Sequence, residues 1–123
     1  MSDDPVSVLI VDDQLPFRMA AKAVVRATKG FESVGEAKSG EEAVELVDEL
    51  SPQLVLMDIN MDGISGIEAT RRISQAHAST KVILLSTYDA DDLPADARDC
   101  GAIAYVHKEQ FGPDVLRNTW DGS

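Results

Sequence analysis

Gln53-Leu-Val-Leu-Met-Asp58 is a short apolar run that ends in a carboxylate. Its length and its β-prone residues predict a buried strand, and the acid marks the point where that strand ends and a loop begins. A second run, Val6-Ser-Val-Leu-Ile-Val11, leads in the same way to Asp12 and Asp13. Open α/β sheets carry their chemistry at the carboxyl ends of parallel strands. If these two strands are neighbours, three carboxylates meet at one edge of the sheet.

Helical and strand patterns alternate along the rest of the chain. Two capping boxes, Ser39-Gly-Glu-Glu42 and Ser65-Gly-Ile-Glu68, indicate where the second and third helices begin. Pro94 permits a fourth helix only from about Leu93 onward, so this helix should be short and should follow a long acidic loop. The remaining predicted elements are strands at residues 31–37, 82–85 and 102–106 and helices at residues 16–29 and 111–120. Five strands that alternate with five helices predict a parallel sheet with helices on both faces.

The composition limits the classes of function. The 123 residues suffice for one domain with its own core. With 22 acidic and 11 basic side chains the formal charge is −11, which argues against binding to nucleic acid or to an anionic membrane. The single cysteine excludes an internal disulfide, and neither histidine has a second zinc ligand at the usual spacing. There is no signal peptide and no apolar run of roughly 20 residues, so we expect a cytoplasmic location.

Four segments together resemble the receiver domain of bacterial two-component response regulators. They are Val11-Asp-Asp13, Leu56-Met-Asp-Ile-Asn-Met61, Leu84-Leu-Ser-Thr87 and Tyr105-Val-His-Lys108, in the order and spacing of that family. The segment Asp12-Asp-Gln-Leu-Pro-Phe-Arg18 is similar to receivers that often precede LuxR-type DNA-binding domains. The resemblance implies one receiver domain over residues 1–123. Its fold would be flavodoxin-like and doubly wound, with five parallel strands in the order 2-1-3-4-5.

The resemblance also implies a Mg²⁺ site among the acids. Asp13 and Asp58 would bind the metal directly, Asp12 would act largely through water, and Asn60 would contribute its main-chain carbonyl. These oxygen ligands suit Mg²⁺, which prefers hard donors and keeps several waters. For a single acid at the end of a strand, a helix cap or a turn is the ordinary alternative.

The phosphoryl chemistry would centre on Asp58. By the resemblance, Asp58 is the nucleophile and phosphoacceptor, and Ser86 and Lys108 bind oxygens of the transferred group. Tyr105 would be the switch residue that responds to phosphorylation, with a half-buried space-filling ring as the alternative. Alternation along the strand places Tyr105 and Lys108 on opposite faces of the sheet.

The residue after Lys108 departs from the family pattern. Receivers commonly have a proline there, in a cis peptide, whereas this chain has Glu109. A cis bond before a residue other than proline costs about 3 kcal/mol. We therefore predict a trans bond between Lys108 and Glu109.

A basic stripe on the first helix indicates where a partner binds. Arg18, Lys22 and Arg26 recur every four residues in an otherwise acidic chain. Receivers commonly offer this helix to a histidine kinase or phosphotransfer domain, so we expect electrostatic docking, with a solvated helix face as the alternative. The resemblance implies that a downstream protein binds the face formed by helix four, strand five and helix five. A homodimer on phosphorylation is a further option, and nucleic acid is not expected to bind this chain alone.

Three functions fit these features to different degrees. The leading prediction is a signalling switch, not a turnover enzyme, that takes a phosphoryl group from a histidine kinase onto Asp58 in a Mg²⁺-dependent reaction. The alternative is a pseudo-receiver that binds partners without phosphorylation. An aspartate-nucleophile phosphatase would need a second acid two residues after its nucleophile, where Asp12 is followed by Gln14. Whether the receiver stands alone or belongs to a longer regulator with a DNA-binding domain is left open by the sequence.

Overall fold

Five parallel strands form one sheet at the centre of the molecule. The structure is a computed structural model that describes residues 4–87 and 93–122, and only the backbone of residue 98. The strands are β1 (Val6–Val11), β2 (Phe31–Ala37), β3 (Leu54–Asp58), β4 (Lys81–Ser86) and β5 (Ala104–His107). They pair in the order β2-β1-β3-β4-β5, all in parallel. The predicted doubly wound fold and its strand order are confirmed.

Four α-helices connect and cover these strands. They are α1 (Leu15–Ala27), α2 (Gly40–Leu50), α3 (Gly66–Ala76) and α4 (Pro113–Asp121). The hydroxyls of Ser39 and Ser65 cap α2 and α3, each accepting a hydrogen bond of 3.1 Å from the backbone N–H three residues later. None of the helices in the described ranges combines the length and apolar character needed to cross a membrane.

The element in the fourth helical position differs from the prediction. A short 3₁₀-helix, Ala95–Asp99, stands where an α-helix was expected. Pro94 before it is extended, with φ −55° and ψ 144°, and Gly101 after it has a φ of +104°. The segment between Pro94 and Gly101 is too short to form a stable α-helix. Short helical segments of this kind commonly adopt 3₁₀ geometry. The predicted acidic loop falls mainly on residues 88–92, outside the described residues.

Both faces of the sheet are buried, which explains why the strands read as continuous apolar runs. All five residues of β3 are buried. One face packs against α2 and α3, through residues such as Val47 and Ile73. The other packs against α1 and α4, through residues such as Val25 and Leu116. The sheet is therefore enclosed between two helical layers, and the loops lie at its two ends.

The register of the sheet brings the predicted acids to one level. Val11 pairs with Met57 across β1 and β3, so the residues that follow them, Asp12 and Asp58, lie side by side. The chain leaves β1 for β2 on one side and later crosses to β3 on the other. Such a change of direction opens a crevice at the carboxyl ends of the two strands.

Candidate functional site at the carboxyl edge of the sheet

Three carboxylates meet at this edge, as predicted from the sequence. One oxygen each from Asp12, Asp13 and Asp58 lies within 4.8 Å of the other two. Asp12 is fully buried, and Asp58 is 5% exposed. A cluster of hard, anionic oxygen donors fits a small divalent cation such as Mg²⁺. Both oxygens of Asp12 already accept hydrogen bonds from the chain, one of them 2.8 Å long from the backbone N–H of Gln14. The predicted water-mediated role of Asp12 at a metal stays a prediction.

The ammonium group of Lys108 lies between two of these acids. Lys108 directly follows β5 and begins a 3₁₀-turn, Lys108–Gln110. Its Nζ donates to Asp12 Oδ2 at 2.6 Å and lies 3.2 Å from Asp58 Oδ1. No peptide bond among the described residues is cis, which confirms the predicted trans bond after Lys108.

Burial and the neighbouring charges together set the pKa of Asp58. Burial raises the pKa of Asp58 from 3.8 to about 6, and the charge of Asp12 adds to the increase. The charge and hydrogen bond of Lys108, and a hydrogen bond from the backbone of Asn60, lower the pKa in opposition. Burial alone lowers the pKa of Lys108, but its hydrogen bond to Asp12 and the two nearby carboxylates outweigh burial and raise the pKa. The site holds excess negative charge that a cation would relieve.

Two further predicted residues lie at the same edge. Ser86 ends β4 and is buried, and its neighbour Leu85 pairs with Asp58. Asn60 follows β3 by two residues and is exposed. Ser86 thus follows the residue that pairs with Asp58, and the backbone of Asn60 hydrogen-bonds to the Asp58 carboxylate. Their roles toward a phosphoryl group or a metal stay predictions.

Tyr105 has a partner that the sequence did not predict. It lies on β5, is 37% exposed, and donates a hydrogen bond of 2.6 Å from its hydroxyl to the carbonyl of Ala97. Ala97 belongs to the 3₁₀-helix in the fourth helical position. This hydrogen bond joins β5 to that helix, and the switch role of Tyr105 stays a prediction.

The structure corrects one residue of the predicted basic stripe. Arg18 is only 6% exposed, and its guanidinium points into the molecule. Nη1 donates to the main-chain carbonyl of Asp12 at 2.7 Å, and Nε pairs with Glu36 at 3.3 Å. Lys22 shares Glu36 but is partly exposed, and Arg26 is exposed. Arg18 therefore supports the acid site, and only Lys22 and Arg26 remain available to a partner.

Two further residues contact the site, and the sequence did not single them out. The ring of Phe17, which appeared only as part of the apolar pattern of the first helix, lies 4.4 Å from Lys108 Nζ. At Gly66, a Cβ atom would lie 1.9 Å from the carbonyl oxygen of Asp58. Only glycine permits the first turn of α3 to pack this closely on the end of β3. The glycine inside the second capping box was the available signal for this approach.

Comparison with known proteins identifies the family. The fold and site define a doubly wound α/β domain with an acidic centre at its switch point. A family model described as the response regulator receiver domain matches residues 8–120. The chain therefore belongs to the response regulator receiver domains. Proteins of this family act in two-component signal transduction, bind Mg²⁺ at an acidic pocket and interact with histidine kinases.

Individual relatives agree with this assignment. The response regulator UvrY of Escherichia coli (strain K12) is 39% identical over 120 residues, which are 95% of this chain and 55% of UvrY. The transcriptional regulatory protein DegU of Brevibacillus brevis is 36% identical over 109 residues, 89% of this chain and 46% of DegU. A LuxR-family response regulator from Aurantimonas sp. SI85-9A1 superposes with a TM-score of 0.86 at 28% identity, covering 97% of this chain and 84% of that one. The chain spans about half the length of the curated relatives it matches.

Proposed function

We propose that Asp58 accepts a phosphoryl group from a phosphohistidine of a histidine kinase or phosphotransfer domain, in a Mg²⁺-dependent reaction. The observation that carries this proposal is the position of Lys108, whose ammonium lies 3.2 Å from Asp58 inside a cluster of three carboxylates. A buried acid with a cation beside it and further acids around it is suited to receive a charged group when a metal offsets the repulsion.

Asp58 is the nucleophile in this reaction. One of its carboxylate oxygens forms a bond to phosphorus while the bond between phosphorus and the histidine nitrogen breaks, and the electron pair of that bond stays on the imidazole. Bound Mg²⁺ would neutralise charge on the transferred group and on the acids that hold it. Asp13 and Asp58 would hold the metal, with Asp12 acting through water and Asn60 through its main-chain carbonyl.

Lys108 and Ser86 complete the site. The ammonium of Lys108 can turn from the Asp58 carboxylate to an oxygen of the phosphoryl group with little movement, because it already lies beside Asp58. Ser86 is buried at the end of β4, next to the strand that carries Asp58, and its hydroxyl can donate to a second phosphoryl oxygen. Both groups offset charge that develops during the transfer.

The test is phosphorylation with acetyl phosphate and Mg²⁺, followed by intact mass measurement. The wild-type chain should gain one phosphoryl group, and Asp58→Asn should gain none. Asp62→Asn is the matched control, because it removes an exposed acid from the adjacent loop and should leave uptake unchanged. If the wild-type chain gains no phosphate, the phosphorylation-independent pseudo-receiver becomes the better description. Equal uptake by Asp58→Asn would refute the assignment of the nucleophile.

The exposed face of α1 is the proposed docking site for the phosphate donor. Leu15 and Met19 are exposed apolar residues of this helix, 54% and 62% accessible, and Lys22 and Arg26 continue at spacings of three and four residues. Neighbouring residues at this spacing share one side of a helix. This face thus combines apolar contact with positive charge, and it suits an amphipathic, acidic partner helix.

Charge reversal on α1 separates docking from chemistry. Arg26→Glu should slow transfer from a phosphorylated histidine kinase that acts on the wild-type chain, and it should leave phosphorylation by acetyl phosphate unchanged. Lys22→Glu should act in the same direction, although it also breaks the pair with Glu36. Arg72→Glu, on α3, is the control for a general effect of charge. Equal slowing with both phosphate donors would count against docking on this face.

The output side of the domain is proposed to be the 3₁₀-helix Ala95–Asp99, β5 and α4. Tyr105 connects the first two of these elements through its bond to Ala97, and Ile103 is exposed beside it. Phosphorylation of Asp58 would change this surface and expose it to a downstream protein or to a second copy of the chain. The protein would act in the cytoplasm as a switch and not as a turnover enzyme.

A further inference from the structure

The ring of Phe17 lies beside the lysine of the acidic site. Phe17 belongs to the first turn of α1, and Lys108 lies at the end of β5, far along the chain. Lys108 Nζ is 4.4 Å from the centroid of the Phe17 ring. A cation within about 6 Å of an aromatic face is attracted by the negative charge of that face, more strongly where water is excluded. The Lys108 side chain is only 15% exposed.

We propose that Phe17 is a positioning residue, whose ring face holds the ammonium of Lys108 between Asp12 and Asp58, ready for the phosphoryl group. The proposal rests on the function proposed above for Asp58. In this role the ring of Phe17 contacts the ammonium of Lys108 and takes no part in the phosphoryl transfer itself. It acts only through Lys108.

Lys108 needs such a support because its side chain is long and flexible. A lysine ammonium is strongly hydrated and has three N–H donors. Two of them face Asp12 and Asp58, at 2.6 Å and 3.2 Å. An aromatic face attracts the cation as a whole and, unlike a water molecule, does not need one N–H group of Lys108 as a directed donor. The N–H groups therefore stay available to the carboxylate and phosphoryl oxygens. Holding the cation in place before the reaction lowers the entropy lost when it binds the phosphoryl group.

The next residue of α1 holds the ring in position relative to the acids. The guanidinium of Arg18 donates to the Asp12 carbonyl at 2.7 Å and pairs with Glu36 on β2. These bonds tie the start of α1 to the ends of β1 and β2. Phe17 and Arg18 thus act on the two members of the Asp12–Lys108 ion pair, one on the cation and the other on the backbone of the acid.

Simple packing is the competing explanation, since Phe17 also lies against the core on the α1 side of the sheet. Packing depends on the volume and shape of the side chain, which a fluorinated ring largely keeps and leucine keeps only in part. Attraction of the cation depends on the electron density of the ring face instead. Fluorination withdraws that density and changes the shape little, so it separates the two explanations.

The experiment compares four residues at position 17 in the otherwise native chain: phenylalanine, tyrosine, leucine and trifluorophenylalanine. The rate of phosphorylation by acetyl phosphate and Mg²⁺ is measured for each. Phe17→Tyr should stay within about twofold of the wild type, and the other two should be slower by roughly threefold to tenfold. Trifluorophenylalanine at Phe31, which packs against α4 at the opposite end of the sheet, is the matched control and should leave the rate unchanged.

A second measurement needs neither metal nor phosphate. In the metal-free protein, the ring current of Phe17 should shift the proton signals of the Lys108 Cε methylene upfield from those of exposed lysines. Phe17→Tyr should keep this shift, and Phe17→Leu should abolish it. Urea unfolding shows whether each variant is folded. If Phe17→Leu does not fold, the tyrosine and trifluorophenylalanine variants still test whether the ring positions Lys108.

The outcomes distinguish this proposal from the proposed function. A fluorinated Phe17 that reacts as fast as the wild type would overturn the positioning role, as would a Lys108 methylene without an upfield shift. If the wild-type chain took up no phosphate at all, the function proposed for Asp58 would fail. The NMR shift would then still show whether the ring of Phe17 lies against the side chain of Lys108.

Discussion

Both ends of the sheet bring a lysine against an aromatic ring. At the carboxyl end, Lys108 Nζ lies 4.4 Å from the centroid of the Phe17 ring. At the amino end, Nζ of Lys81, the first residue of β4, lies 5.2 Å from the centroid of the Trp120 ring on α4. The ring of Trp120 in turn meets Phe31 edge to face, with the ring centroids 6.2 Å apart. The same type of contact therefore occurs in two different electrostatic settings.

The difference between the two ends lies in what surrounds the cation. Lys108 is mostly buried and lies within 3.2 Å of two buried carboxylates, one of which has its pKa raised to about 6. This end holds excess negative charge, which a bound metal cation would offset. At the amino end, the rings of Trp120 and Phe31 join α4 to the start of β2, and they gain from burial of apolar surface. We infer that the carboxyl end serves the chemistry at a cost in stability, and that the amino end contributes stability.

The largest expected effect of this difference is on phosphorylation. Lys108→Met should lower the rate with acetyl phosphate by about 10²-fold to 10³-fold, as for the loss of one charge-stabilising donor. Lys81→Met removes a lysine beside a ring at the amino end and should leave the rate within about twofold. Intact mass measured over time gives both rates. Equal rates for the two variants would remove the distinction between the ends.

The next effect is on stability at the amino end. Trp120→Ala should lower the free energy of unfolding by about 2 kcal/mol, less than for a fully buried tryptophan because this ring is half-buried. Trp120→Phe keeps an aromatic ring against Phe31 and should lose clearly less. Urea unfolding followed by circular dichroism measures both. A loss for Trp120→Ala no larger than for Trp120→Phe would show that the aromatic cluster does not stabilise the fold.

A smaller effect of opposite sign is expected at the carboxyl end. Because burial, helped by the charge of Asp12, raises the pKa of Asp58 from 3.8 to about 6, the folded protein binds this proton more tightly than the unfolded chain does. The free energy of unfolding therefore falls as the pH rises from about 4 to about 6, and above that range the full cost of ionising the buried Asp58 applies. Asp58→Asn removes this cost. The variant should be more stable than the wild type by about 1–2 kcal/mol at pH 8 in EDTA, allowing for solvent screening.

The pH dependence supplies the control for this prediction. The advantage of Asp58→Asn should shrink to a small remainder near pH 4, where the wild-type carboxyl is protonated in the folded state and partly protonated in the unfolded state, whose pKa of 3.8 lies just below that pH. Asp121→Asn, an exposed acid at the end of α4, controls for the loss of one negative charge and should show no such change. An advantage of Asp58→Asn that is the same at pH 4 and pH 8 would mean that ionisation of Asp58 is not its source.

The sequence predicted those features that depend on short segments. β3 reads as an unbroken apolar run because all its residues are buried, and Asp58 is the acid that ends it. The hydroxyls of Ser39 and Ser65 cap the helices that their motifs indicated. The convergence of the three acids followed from the rule that parallel strands end at the same edge.

Features that depend on distant segments were harder to predict. Residues four apart on a helix turn by about 400°, so a four-residue repeat drifts by about 40° at each step. Arg18 therefore faces the interior, whereas Arg26 faces solvent. Phe17 meets a lysine from the other end of the chain, and the close approach of Gly66 to Asp58 depends on how α3 packs. The sequence predicted a short helix at the position of Ala95–Asp99, but it did not predict that this helix has 3₁₀ geometry. The positive φ at Gly101, which limits the length of the helix, was not anticipated.

The smallest predicted effect concerns two side-chain hydrogen bonds, one on the proposed output side and one at the amino end of the sheet. Tyr105 donates to the Ala97 carbonyl at 2.6 Å, and Thr28, in the turn that leads to β2, donates to the Val24 carbonyl at 2.7 Å. Tyr105→Phe and Thr28→Val should each lower the free energy of unfolding by about 1 kcal/mol, the usual net value of such a bond. Urea unfolding in EDTA measures both losses.

Addition of beryllofluoride and Mg²⁺, which mimics the phosphorylated acid, should separate these two variants. If Tyr105 is the switch residue, its hydroxyl leaves Ala97 in that state, so the loss caused by Tyr105→Phe should shrink. The loss caused by Thr28→Val should stay the same, because its bond lies at the end of the sheet away from the acids. A constant loss for both variants would mean that the bond from Tyr105 to Ala97 is part of the scaffold, and that the response to phosphorylation does not pass through this residue.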